Sequence, residues 1–171
     1  MARKLLIMRH AKSAWDTDAP TDFERPLSKR GIKDAPKMGR FIKREKLVVQ
    51  HVVSSPAERA QQTAREVCRV IDFKRKALHL DPRIYGAALE DLLEVLGEVP
   101  ARKKTVLLVG HNPGLEYLFS FLVNKPELND DGSDLIKTAT LVQLKMPDDW
   151  SDLTPGCAAL LAVTHPRDLP D

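Results

Sequence analysis

Apolar residues fall in short runs separated by polar stretches with scattered Pro and Gly, and their spacing changes between runs. Leu5-Leu6-Ile7-Met8 is continuous and apolar, which predicts a strand buried on both faces. The polar stretch from Lys12 to Pro26 predicts a loop. A helix is expected from an N-cap at Ser28 to about Lys46, with Pro36 either kinking it or dividing it into two shorter helices. Val52-Val53-Ser54 reads as a second strand. Ser55-Pro56-Ala57-Glu58 has a capping-box pattern with Pro at the first helical position, so a helix is expected to start there and to bury Ala60, Ala64 and Val67.

Further along, Ala77 to Leu80 reads as a third strand and Leu89 to about Leu96 as a helix. Thr105 to Val109 is the clearest buried strand. It leads through Gly110-His111-Asn112-Pro113-Gly114 into an apolar helix around Leu115 to Leu122. Lys125 to Asp134, rich in Asp, Asn and Pro, predicts an exposed loop, and strands near Leu141–Lys145 and Ala158–Thr164 close the chain. Strands alternating with helices indicate an α/β fold with a largely parallel sheet covered on both faces. Such sheets bind ligands at the carboxyl ends of their strands.

Length and composition narrow the picture. The 171 residues suit one domain spanning 1–171, and 43% hydrophobic content excludes a disordered tail. The longest apolar run, Cys157 to Val163, is far short of the roughly 18 residues a membrane span needs. Charge returns at Arg9 with no cleavage site before it, so no secretory leader is expected. Lys and Arg number 27 against 24 Asp and Glu, a surplus of +3 interspersed along the chain, which is weak grounds for a nucleic-acid partner. Cys68 and Cys157 form no CxxC pair, which argues against a zinc ribbon or a disulfide scaffold and for a reducing, cytoplasmic setting. Serine-hydrolase, P-loop and zincin motifs are absent.

Arg9 and His10 follow the first strand, Arg59 lies in the first turn of the helix after the second, and His111 follows the fourth. Two guanidiniums and a protonated imidazole meeting at one point would hold a tetrahedral dianion through charge-assisted hydrogen bonds. A neutral imidazole in the same pocket has the lone pair to attack phosphorus. The cations would stabilise the transition state without a metal, helped by helix N-termini near Ser55 and Asn112. Taken singly, Arg59 could be a surface ion-pair residue, and His10 or His111 could cap a strand or satisfy a buried carbonyl. His51, His79 and His165 have no such context and read as structural or surface residues. Trp15 either lines the pocket mouth or packs on the core.

Arg9-His10-Ala11-Lys12-Ser13-Ala14-Trp15-Asp16 resembles the Arg-His-Gly signature of the histidine phosphatase (phosphoglycerate mutase-like) superfamily, with Ala11 where Gly is usual. Arg25 to Gly31, Ser54 to Ala64 and Val109 to Pro113 resemble that family's first-helix, second-arginine and second-histidine segments. The small size and Arg-His-Ala start are most similar to the SixA-type branch of phosphohistidine phosphatases. The resemblance implies a three-layer α/β/α sandwich. It makes His10 the nucleophile that becomes phosphorylated, with Arg9, Arg59 and a cationic His111 on the phosphoryl oxygens. Ser13 and Arg25 would be accessory substrate contacts, and no cofactor or metal is implied; Lys12 reads equally as a further substrate contact or as a solvated lysine.

One departure bears on substrate. Family members acting on phosphate esters often carry a Glu general acid where this chain has Pro82, in Leu80-Asp81-Pro82-Arg83-Ile84-Tyr85-Gly86. Asp81, Glu90 and Asp91 are the nearby carboxyls. The expected activity is a metal-independent phosphatase acting on phosphohistidine of a partner protein. The alternatives are a phosphomonoesterase for a small phosphorylated metabolite and a phosphate-recognising module without turnover. Neither nucleic acid nor membrane is expected as a partner.

Overall fold

In the computed structural model, which describes residues 2–125 and 131–171, six strands form one mixed sheet. They are β1 (Arg3–Arg9), β2 (His51–Ser54), β3 (His79–Leu80), β4 (Thr105–Gly110), β5 (Leu141–Met146) and β6 (Ala159–Thr164), in the order β3-β2-β4-β1-β5-β6. Parallel pairing joins β3 to β2, β2 to β4 and β4 to β1, with Ile7 opposite Leu108 and Met8 opposite Val109. β5 runs antiparallel to β1, and β6 antiparallel to β5. The sheet is therefore mostly parallel, as expected, with its two late strands forming an antiparallel extension.

Alternation along the strands divides the core. Leu5 and Ile7 face the side covered by α3 (Leu89–Gly97) and α4 (Gly114–Val123), while Leu6 and Met8 face α1 (Lys29–Arg44) and α2 (Glu58–Val70). Each apolar strand serves two cores, which is why these strands read as unbroken hydrophobic runs. The result is the three-layer sandwich. Free Cys68 and Cys157 pack against opposite cores. Among the described residues no helix is long and apolar enough to cross a membrane.

Most expected elements are present, and the differences have local causes. Ser28 caps α1, its Oγ accepting from Gly31 N at 3.2 Å, and α1 continues through Pro36 as one helix. The carbonyl that Pro36 leaves without a donor belongs to Ile32, a residue on the solvent side of the helix. The predicted capping box at Ser55 does not form. α2 starts at Glu58 behind Ala57, because the Ser55 hydroxyl accepts from Ala57 N and is shared with a distant histidine. The third strand shrinks to His79–Leu80, preceded by a 3-10 turn at Arg75–Ala77. The predicted loop from Lys125 to Asp134 falls partly on residues 126–130, which lie outside the described residues.

Gly31 seats α1 against the loop that follows β1. A Cβ there would stand inside contact distance of the Lys12 carbonyl oxygen, which already accepts from Ser28 N and Oγ. Gly31→Ala should therefore cost about 1–3 kcal/mol despite its better helix propensity. Denaturant unfolding checks this, and an unchanged or raised midpoint would contradict it.

Candidate active site

The carboxyl ends of β1, β2 and β4 lie side by side, and the chain leaves each through residues whose backbone is tied to its neighbours. His10 N donates to Gly110 O at 3.0 Å and Ser55 N to Val109 O at 3.0 Å. Ala11 N donates to Thr63 Oγ1 at 3.0 Å, and that hydroxyl donates to Arg59 O at 2.7 Å, fixing the turn after β1 to the first turns of α2. The expected quartet Arg9, His10, Arg59 and His111 is thereby brought together.

His10 is 7% exposed, and its ring centroid lies 5.1 Å from that of His111. Its Nδ1 is 2.7 Å from Ala11 O. A carbonyl only accepts, so Nδ1 carries the proton and Nε2 of the neutral ring keeps its lone pair. Burial, followed by the charges at His111, Arg59 and Arg9, lowers the His10 pKa to about 3 despite the opposing bond to Ala11. The His111 pKa falls to about 4 through burial and then Arg59. Burial first, and then Arg59 and Arg9, disfavour in the unliganded protein the imidazolium expected at position 111. His111 Nε2 lies 2.7 Å from Ser55 Oγ, a long-range partner that the local Ser-x-x-Glu pattern does not reveal.

Both arginines meet carboxylates that the sequence did not single out. Arg59 Nη1 donates to Asp22 O at 2.7 Å and Nη2 to Asp22 Oδ2 at 3.0 Å. Arg9 Nη1 donates to Asp134 Oδ2 at 3.1 Å and to Ile136 O at 3.2 Å. Tyr85 donates its hydroxyl to Asp22 Oδ2 at 2.7 Å, and its ring meets His111 edge-on at 5.5 Å. These bonds from Tyr85, Arg25 and Arg59 hold the Asp22 pKa at about 2. Arg9 Nε, Arg59 Nε and His111 Nδ1 are buried without a partner among the described residues. Asp22, Arg59, Tyr85, His111 and Asn112 line an open cleft of about 360 Å³, and His10 adjoins it through His111.

The accessory residues divide. Ser13 and Arg25 are buried and bonded to each other, Arg25 Nη1 to Ser13 Oγ at 2.9 Å, while Arg25 Nε reaches Asp22 at 3.1 Å. Together they brace the loop that carries Asp22. Lys12 is exposed and is held through its carbonyl. Trp15 neither packs on the core nor lines the cleft. It is 74% exposed, under the Arg25 guanidinium at 3.6 Å.

None of the three carboxyls near Pro82 enters the cleft. Asp81 pairs with Arg83 at 2.7 Å, which lowers its pKa, and it lines a separate cavity of about 380 Å³ beside the stacked His51 and His79. Asp91 accepts from Ala88 N at 2.9 Å, and Glu90 is exposed. Among the described residues no group of three or more His, Cys, Asp or Glu is placed to hold a metal.

Comparison with known proteins fits this geometry. The model of the histidine phosphatase superfamily (branch 1) matches residues 5–85, which include Arg9, His10 and Arg59 but not His111. An uncharacterized protein of Mycobacterium tuberculosis is 34% identical over 164 residues, covering 94% of this chain and 100% of its own. The phosphohistidine phosphatase SixA of Escherichia coli K12 is 29% identical over 121 residues, 70% of this chain and 73% of its own. The fold is shared with a solved structure of the protein histidine phosphatase SixA complexed with tungstate, at a TM-score of 0.81 and 23% identity over 96% of this chain and 98% of that one.

The electrostatics make a direct expectation. In the unliganded protein, imidazole nitrogen shifts should show His10 and His111 neutral above about pH 5, with His10 protonated on Nδ1. Because both folded pKa values lie below the ordinary 6.5, the unfolded chain binds more protons between about pH 6.5 and 3, and stability should fall as pH drops through that window. A His10 that titrates near 6.5, or carries its proton on Nε2, would contradict the assignment.

Proposed function

The chain belongs to the histidine phosphatase superfamily, in its SixA-like branch, and from that premise we propose that it removes phosphate from phosphohistidine on a partner protein through a covalent intermediate on His10. One observation carries the reading. His10 is neutral, its Nδ1 proton is committed to Ala11 O, and its lone-pair nitrogen sits in a ring beside His111, Arg9 and Arg59.

Nε2 of His10 attacks phosphorus, and the P–N bond to the substrate imidazole breaks. That imidazole has taken a proton from water on its remote nitrogen, so it departs as a neutral ring. Arg9 and Arg59 turn to the phosphoryl oxygens, which replace Asp134 and Asp22 as their acceptors, and His111 Nδ1 donates to the same group. Water then attacks the phosphorus of phospho-His10 and releases inorganic phosphate. The positive charge comes from side chains, so chelators should leave the rate unchanged.

The cleft favours phosphohistidine over alkyl esters because it offers an alkoxide no proton. Pro82 replaces the usual acid, Asp81 is locked to Arg83, and Asp22 is held ionised. A positioned general acid is worth about 10²–10⁴-fold. kcat/KM for phosphohistidine protein should therefore exceed that for phosphoserine by about 100-fold or more. His10→Ala should remove both activities from a folded protein.

Asp22 carries the second reading, a phosphomonoesterase for small metabolites. If a phosphoryl group draws Arg59 away, Asp22 loses one of the bonds that keep it ionised and becomes able to hold a proton. Equal kcat/KM on phosphohistidine and phosphoserine, with the ester activity lost in Asp22→Asn, would establish that reading over the first.

A further inference from the structure

Glu116 is the one charged side chain of α4, whose other inward residues include Leu115, Leu118, Phe119 and Leu122. It is 4% exposed. Burying a carboxylate in an apolar layer is costly unless hydrogen bonds compensate. Its compensation comes from one peptide segment: Glu116 Oε2 accepts from Leu135 N at 3.0 Å and from Ile136 N at 3.5 Å. Neither bond belongs to a helix or a sheet ladder. Their effect is to pin the segment that returns the chain to β5.

That segment is wrapped around the end of β1. Ile136 O accepts from Arg9 Nη1 at 3.2 Å and from Asn112 Nδ2 at 2.8 Å, so one carbonyl joins the residue before His10 to the residue after His111. Ala139 N donates to Arg9 O and His10 O, each at 3.1 Å, and Arg9 N donates to Thr140 O at 3.3 Å. Asp134, two residues before Ile136, pairs with Arg9. Among the described residues, the buried side-chain acceptor that holds the amides of Leu135 and Ile136 is Glu116.

We propose that Glu116 is a positioning residue for phosphoryl transfer: its carboxylate fixes the 135–136 peptide, and through the Ile136 carbonyl it holds the Arg9 guanidinium beside His10. Glu116 has no role on the reacting atoms. It acts through Arg9, whose guanidinium can meet phosphoryl oxygens in a bidentate geometry only if its plane is held. The inference rests on the phosphatase reading and adds to it a residue that neither the motif segments nor the cleft lining includes.

Two substitutions separate the acceptor from the packing. Glu116→Gln keeps an oxygen that can accept from both amides, and Glu116→Leu fills similar space with none. On an aryl phosphate, the Gln variant should keep kcat/KM within about threefold of the unmutated protein. The Leu variant should lose about 10- to 100-fold, and its affinity for orthovanadate should fall in parallel. The deciding readout is a double-mutant cycle: in an Arg9→Ala background, Glu116→Leu should cost less than about threefold, because the group it acts through is gone. Equal losses in both backgrounds, or a Leu variant with full activity, would overturn the proposal. If the Leu variant does not fold, Glu116→Asp, one methylene shorter, enters the same cycle with the same criteria. An unmutated protein that binds no orthovanadate and hydrolyses no phosphate compound would instead overturn the phosphatase reading.

Discussion

Two guanidiniums and two imidazoles gathered at one end of a sheet set the terms for everything around them. Arg59 is buried and Arg9 half-buried, and cations drawn out of water in this way need acceptors. The unliganded protein supplies them from loops: Asp22 reaches Arg59, and Asp134 and Ile136 O reach Arg9. Burial, with these cations adding to it, lowers the pKa of both histidines and favours their neutral rings. In the proposed reaction a phosphoryl dianion would take over from these loop carboxylates as the acceptor, so that binding would exchange one set of ion pairs for another.

The sheet explains how such a cluster is held. β1, β2 and β4 are adjacent and parallel, so three chain segments far apart in sequence end at the same level. Thr63 then ties Ala11 to α2, and Gly31 lets α1 approach the Lys12 carbonyl. The protein thus places its polar groups from backbone that is itself hydrogen-bonded, which limits how far they can drift.

The parallel half of the fold was legible because buried parallel strands are continuous apolar runs and their shared direction follows from alternation with helices, although their order in the sheet does not. The direction of β5 and β6 was not legible, since an apolar run has no polarity and the connection before β5 carries no turn signal of fixed length. Pro36 left two outcomes open, and the orientation of Ile32 toward solvent chose between them. The convergence of Arg9, His10, Arg59 and His111 was legible because they lie at or within a few residues of the carboxyl ends of β1, β2 and β4. Asp22 could not, because an Asp in a polar loop looks solvated until Arg59, 37 residues later in the chain, is folded against it. Ser55 misled for a related reason: a Ser-x-x-Glu pattern states a local preference, and the competing partner, His111, lies 56 residues away. Glu116 did leave a trace, as a lone carboxylate in an apolar helix.

The account stands on a phosphoryl group passing through His10, and trapping that species tests it most directly. The protein is mixed briefly with a labelled phosphohistidine donor protein, quenched at alkaline pH and digested. The account predicts acid-labile, alkali-stable label on the peptide containing His10, and none in the His10→Ala protein. Turnover without any trapped label, or label on a peptide lacking His10, would contradict it.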